Sequence, residues 1–249
     1  MNIALMSLLV FIVAALYSSA GFGGASGYLI VMNLFGVPAN IMASTALILN
    51  IFVSSISFAN YYKAGHFRSR LLLPFLFTSI PAAFLGGRIK LSNETYSVLL
   101  YGVLTFLAIR MVFFPTLTET LDWTARPIPI WAALVSGAGI GLLSGILGIG
   151  GGIFLSPLII LMGWGNSKQA AASAGGFIAI NSLSGLVSRI THGNFVIGDF
   201  GIPLLLVGLL GALIGSLMGA VHFSSMGVRR VLGTILSIAV GTFWISFFQ

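Results

Sequence analysis

Residues 148–152 read Gly148-Ile149-Gly150-Gly151-Gly152, and 127 positions earlier residues 21–24 read Gly21-Phe22-Gly23-Gly24. Each cluster interrupts a long apolar stretch, so the same break falls at matching places in the two halves of a 249-residue chain. The same offset pairs Gly36 with Gly163 and Ala43 with Ala170. One inserted residue then moves the register to 128, which pairs Thr45 with Ser173, Ser54 with Ser182, Gly65 with Gly193, Phe67 with Phe195 and Gly87 with Gly215. An ordered series of this kind marks an internal duplication. On this reading the chain divides into a first membrane repeat, 1–114, an inter-repeat loop, 115–127, and a second membrane repeat, 128–249.

The composition places both repeats in lipid. Hydrophobic residues make up 58% and charged residues 6%, with a mean hydropathy of +1.10, whereas a soluble domain has roughly a quarter of its residues charged. Apolar runs near 3–20, 40–62, 71–87, 95–114, 128–147, 169–190, 200–221 and 231–248 each approach the roughly 20 residues that cross a hydrocarbon core. They leave little room for any soluble domain. Residues 3–17 could pass for the apolar region of a signal peptide, but no Lys or Arg precedes them and their counterpart recurs at 130–147. They are therefore read as part of the mature protein.

Each half reads as a long helix, a glycine break, a short helix over 25–35 or 152–162, and three ordinary spans. The short pieces extend only about 17 Å at 1.5 Å per residue and cannot cross roughly 30 Å of hydrocarbon. The economical arrangement is a V, in which the chain turns at the glycines inside the membrane and returns to its starting side. Three remaining spans is an odd number, so the second half would be inserted upside down relative to the first. With inverted halves, Lys63, Arg68, Arg70, Arg110, Arg126, Lys168, Arg229 and Arg230 share one side and Arg88, Lys90 and Arg189 the other. Parallel halves would divide the same cations almost evenly. The concentration of Lys and Arg on cytoplasmic loops favours inversion. The expected fold is thus an all-α integral membrane protein of two homologous halves, inverted repeats, each a glycine-broken re-entrant helix pair plus three transmembrane helices.

Several chemistries lack their residues. Glu94, Glu119, Asp122 and Asp199 fall in loops or at span ends, which argues against an intramembrane carboxylate relay. There is no cysteine, hence no disulfide or thiolate metal ligand, and no metal site or cofactor is expected. Neither glycine cluster is followed by the Lys-Ser/Thr of a phosphate loop, nor does either follow a strand. No clustered basic face offers itself to nucleic acid. The net charge of +7 fits basic cytoplasmic loops and also permits an anionic substrate.

Paired glycine-broken segments in two halves are the sequence pointer to a membrane transporter's binding site, because backbone freed at membrane depth survives only where protein or a polar cavity satisfies it. Each short helix starts just after its glycines, so its N-terminus and unpaired N–H groups face the turn, and such an end suits an anion. The candidate binding set is Gly21, Phe22, Gly23, Gly24 and Ser26 at the first tip, and Gly148, Ile149, Gly150, Gly151 and Gly152 at the second. Small polar residues of the following helices extend it: Thr45, Asn50 and Ser54 in one half, Ser173, Asn181 and Ser182 in the other. Asn50, Ser54 and Ser57 share one helical face by their spacing of four and three. His192 beside Arg189 is a candidate for coupling or gating. Helix packing by small residues is the competing reading for any single glycine.

The two clusters, each followed by a small-residue helix start, Ala43-Ser44-Thr45-Ala46 and Ala170-Ala171-Ala172-Ser173-Ala174, resemble the sulfite exporter TauE/SafE family over nearly the whole chain. That resemblance implies a polytopic permease of the bacterial inner membrane for small sulfur-containing or organic anions such as sulfite, sulfoacetate or related sulfonates. The first cluster departs from the pattern, continuing as Ala25-Ser26 where the second half carries a third glycine. The expected activity is a secondary carrier or facilitator for a small anion. An anion channel, a membrane-embedded enzyme and a structural subunit are the alternatives.

Overall fold

The computed structural model describes residues 2–113 and 126–221, with positions 237, 240, 241 and 243–245. The inter-repeat loop 115–127 and the run 231–248 lie largely outside the described residues. The described elements are α1 (Ile3–Ser19), α2 (Ala25–Leu34), α3 (Ala39–Lys63), α4 (Leu73–Arg88), α5 (Asn93–Phe113), α6 (Ile130–Leu147), α7 (Gly152–Leu161), α8 (Ser167–Thr191) and α9 (Gly201–Val221), with one 3-10 turn at Ser69–Leu71. The protein is all-α among the described residues. Four helices, Ala39–Lys63, Ile130–Leu147, Ser167–Thr191 and Gly201–Gly219, are long and apolar enough to cross a membrane.

The helices end where the sequence changes the backbone. Gly21, at φ +84°, follows α1, and Gly148, at φ +77°, follows α6. Left-handed conformations of this kind stop a helix and strongly favour glycine. Gly24 and Gly151, also left-handed, then stand as the N-caps of α2 and α7 with no side-chain cap. Those two helices have 10 residues each, about 15 Å at 1.5 Å per residue, too short to span. Before α8 the signal is side-chain chemistry: Asn166 accepts from the Gln169 N–H while the Gln169 side chain accepts from the Asn166 N–H, a reciprocal cap that fixes the helix start.

The packing crosses between the halves. The most extensive contacts are α4 on α6, α1 on α9 and α3 on α8. In the first seam Gly137, Gly141 and Gly145 lie on Phe75, Ser79 and Ala83 in turn, so α4 and α6 run parallel. In the second, Gly211, Gly215 and Gly219 lie on Phe11, Ala15 and Ser19, so α1 and α9 also run parallel. Leu47 faces Gly185 while Phe58 faces Gly175, which makes α3 and α8 antiparallel. These two form the buried centre. Outside, Phe77, Trp131 and Ile202 are 78%, 69% and 70% exposed, an apolar rim of the kind that lipid covers.

Small residues make the seams possible, because helix association in lipid depends on close backbone approach. A Cβ on Gly141 would stand 2.4 Å from the Ser79 carbonyl oxygen, whereas Gly139, on the opposite face of α6, has nothing within 4 Å. Gly141→Val should therefore destabilise the protein in detergent by roughly 1–3 kcal/mol through overpacking, and Gly139→Ala should leave thermal unfolding at or slightly above the parent value.

Candidate functional site

A helix that stops inside an apolar interior leaves its last carbonyls without partners, and the second break shows where those go. The Arg189 Nη2 group donates to the carbonyls of Gly145 (3.2 Å) and Ile146 (2.8 Å). The Tyr96 hydroxyl donates to Leu147 at 2.7 Å, and the Asn50 Nδ2 group to Gly148 at 3.2 Å. Four successive carbonyls are thus closed by side chains from α8, α5 and α3. The first break is closed in a related way by α3, with Tyr61 donating to the Ser19 carbonyl at 2.9 Å and Ser57 to that of Ser18 at 3.4 Å.

The N–H ends are treated differently. Neither α2 nor α7 has a side-chain cap, and among the described residues the N–H groups of Gly23, Gly24, Gly150 and Gly151 donate to no protein acceptor. The two tips converge on one place. A Cβ on Gly23 would stand 2.8 Å from Asn50 Oδ1 and 2.9 Å from Ile178 Cγ2. One on Gly150 would stand 2.6 Å from the same Ile178 methyl and 3.0 Å from both Asn50 Nδ2 and Ser182 Oγ. Asn50 and Ile178 occupy matching repeat positions, 128 apart, so one half contributes an amide where the other contributes a methyl.

Gly21 and Gly148 are packing elements of this junction. The first presses on Ala171 and the second on Ala43, each reaching the start of the other half's long helix. Phe22 and Ile149 are 3% exposed and belong to the main apolar core with Leu147, Ile153 and Ile178. Gly24 lies under the Tyr28 ring, and Gly151 and Gly152 against Phe177 and Ile178. Ser26 donates its hydroxyl proton to Tyr17 Oη at 2.8 Å, so that proton is committed within the first tip. Thr45, Ser173 and Ser182 are buried with hydroxyls that have no partner among the described residues. Ser54 instead bonds back to the Asn50 carbonyl, the usual escape of a helical serine in an apolar setting. Asn181 donates to its own helix at Phe177.

The pair at the end of α8 separates. Arg189 is 5% exposed and turned inward, while His192 is exposed and faces Thr191 Oγ1 and the Ser188 carbonyl, both at 2.9 Å. The structure thus gives Arg189 an architectural contact and brings His192 into none of the tip geometry. Sequence reading passed over Tyr17, Tyr28, Tyr61 and Tyr96, all at most 3% exposed. The signal was available, since a tyrosine inside an apolar run carries a hydroxyl that needs a buried partner.

An all-α fold with four helices long and apolar enough to cross a membrane is that of a polytopic membrane protein. The chain belongs to the sulfite exporter TauE/SafE family, whose sequence model matches residues 6–243, and that membership makes it a transporter rather than an enzyme. Among its relatives, a probable membrane transporter protein, y4hK, of Sinorhizobium fredii is 34% identical over 231 residues, covering 92% of this chain and 93% of that one. A probable membrane transporter protein of Methanocaldococcus jannaschii is 25% identical, with 92% of this chain and 90% of its own covered. A third, from Haemophilus influenzae, is 27% identical over 75% of this chain and 72% of its own. No solved structure matches the chain.

The two buried asparagines should respond differently to substitution. Asn50→Leu leaves the Gly148 carbonyl without a donor and should cost about 1–3 kcal/mol. Asn181→Leu removes a donor from a carbonyl that lies within a helix and discards an unpaired Oδ1, so it should cost less than about 1 kcal/mol. Denaturation of the two purified variants in one detergent checks the contrast.

Proposed function

We propose that the protein is a secondary carrier or facilitator for a small anion, with sulfite and organosulfonates such as sulfoacetate as its substrate class, acting in a bacterial inner membrane. The observation that carries this reading is the meeting of Gly23 and Gly150 at Asn50 and Ile178. An anion there would receive N–H groups and helix dipoles from two directions, with the Ser182 hydroxyl, which has no partner, within reach. Asn50 Oδ1, likewise unpartnered, would accept water or the proton of a weak acid such as bisulfite. The two described carboxylates, Glu94 and Asp199, are exposed and place no negative charge beside the tips. Thr45 and Ser173 add hydroxyls in the surrounding layer. The family's description as sulfite exporters supports the choice of substrate class.

The proposed mechanism is rocking of two inverted halves about the paired tips, with substrate access alternating between the two sides. Support for inversion comes from the antiparallel run of α3 and α8, which are repeat counterparts, and from the parallel α1–α9 and α4–α6 seams, which a two-fold exchange of the halves would interconvert. In this arrangement each tip belongs to one half and is held against the other half's long helix, so relative movement opens the junction on one side or the other.

Two experiments test the reading. In proteoliposomes, Gly23→Val and Gly150→Val should abolish sulfite flux while the folded protein is still recovered, and normal flux in both would remove the tips from the site. For topology, the cysteine-free chain allows single cysteines at Ala64 and His192, exposed repeat counterparts. An impermeant thiol reagent should label them from opposite sides of the membrane, and same-side labelling would rule out inverted halves.

A further inference from the structure

A cavity of about 230 Å³ opens beside the second break, lined by Asn40 from α3, Ile89 and Lys90 after α4, Tyr96 from α5, Ile146 from α6, and Arg189 and Asn194 at the end of α8. It is separate from the Gly23–Gly150 junction, whose residues do not line it. Arg189 is the reason it is of interest. The side chain is 5% exposed, spends Nη2 on two carbonyls, and keeps a buried Nε with no partner among the described residues.

A buried guanidinium is costly unless something balances it. Here the balance comes only from the carbonyl end of α6, a partial negative charge, since no described carboxylate pairs with Arg189 or Lys90. Asn194 turns its amide Nδ2 toward the carbonyls of Gly87 and Arg88, which fixes the rim without neutralising the charge. The repeat makes the choice of arginine conspicuous. Its counterpart 128 positions earlier is Tyr61, which closes the equivalent carbonyl, Ser19, with a neutral hydroxyl. Capping the helix end therefore does not require a cation. Lys90 and Arg189 are also two of the three cations on the sparsely charged side of the inverted arrangement, where the positive-inside tendency would leave few.

We propose that this cavity is a second anion site, an antechamber that holds a small soluble oxyanion such as a sulfonate between Lys90 and Arg189 before it reaches, or after it leaves, the tips. The proposal rests on the anion-carrier reading above. The anion neutralises the pair from within the cavity that both residues line, one helix end away from Gly148. The volume admits a sulfonate together with water.

Asn40 is exposed and lines the cavity, and the chain has no cysteine of its own, so Asn40→Cys places a single reporter thiol there. The purified protein in nonionic detergent is reacted with sulfonatoethyl and trimethylammonioethyl methanethiosulfonates, each rate normalised to that of free 2-mercaptoethanol. The anionic reagent should be favoured about tenfold by the local field, millimolar sulfoacetate should slow it, and Lys90→Gln, an exposed change, should reduce the preference severalfold. Arg189→Gln should remove sulfoacetate protection. Equal normalised rates without protection overturn the site, as does protection by added phosphatidylglycerol but not by sulfoacetate, which would assign the cavity to lipid phosphate. The labelling needs no transport, so its failure leaves the carrier reading standing, whereas normal flux in Gly23→Val and Gly150→Val removes the tip site and leaves this one.

Discussion

Two helices end in the apolar interior of this protein, and the need to satisfy their last carbonyls governs where its polar side chains go. A buried carbonyl left without a donor would cost about 1–3 kcal/mol. Arg189, Tyr96 and Asn50 close the end of α6, and Tyr61 and Ser57 close the end of α1. Tyr61 and Arg189 hold the same place in the two repeats and reach the same backbone position, Ser19 and Ile146. One job is thus done twice with different chemistry. The N–H ends of α2 and α7 have no such closure, and that imbalance is what makes an anionic guest chemically reasonable.

The seams show why the breaks can be placed so closely. Gly137, Gly141 and Gly145 on α6, and Gly211, Gly215 and Gly219 on α9, recur every four residues and bring backbone against backbone across the halves. Such contacts rely on van der Waals packing and shape, because lipid gives little hydrophobic drive to join apolar helices. The long polar-faced helices α3 and α8 then pass antiparallel through the centre, carrying Asn50 and Ser182 to the tips.

The two halves match in helix length, 10 residues in α2 and α7 and 25 in α3 and α8, and differ in side chains. Asn50 faces Ile178, Tyr61 answers to Arg189, and Tyr28 covers the first tip where Leu155 stands in the second half. Tyr17 takes up Ser26 at the first tip, leaving the second tip with the unpartnered Ser182. Differences of this kind make the two tips chemically unequal, since a buried hydroxyl, amide and guanidinium differ widely in the hydrogen bonds they offer.

The sequence alone determined the all-α membrane class, the two breaks, the short helices after them and the buried faces of α3 and α8. These follow from local rules: hydropathy over a span, the left-handed preference of glycine, and helical spacing. It also carried the seam glycines in plain view at intervals of four, yet nothing local says which helix such a stripe will meet. Only the tertiary structure decided that Gly23 and Gly150 approach the same asparagine, that Ser26 is consumed by Tyr17, and that Arg189 turns inward while His192 stays out. Those outcomes depend on pairings between different elements, from 9 positions apart for Tyr17 and Ser26 to 100 for Asn50 and Gly150, and one periodic pattern in one chain cannot specify its partner across the bundle.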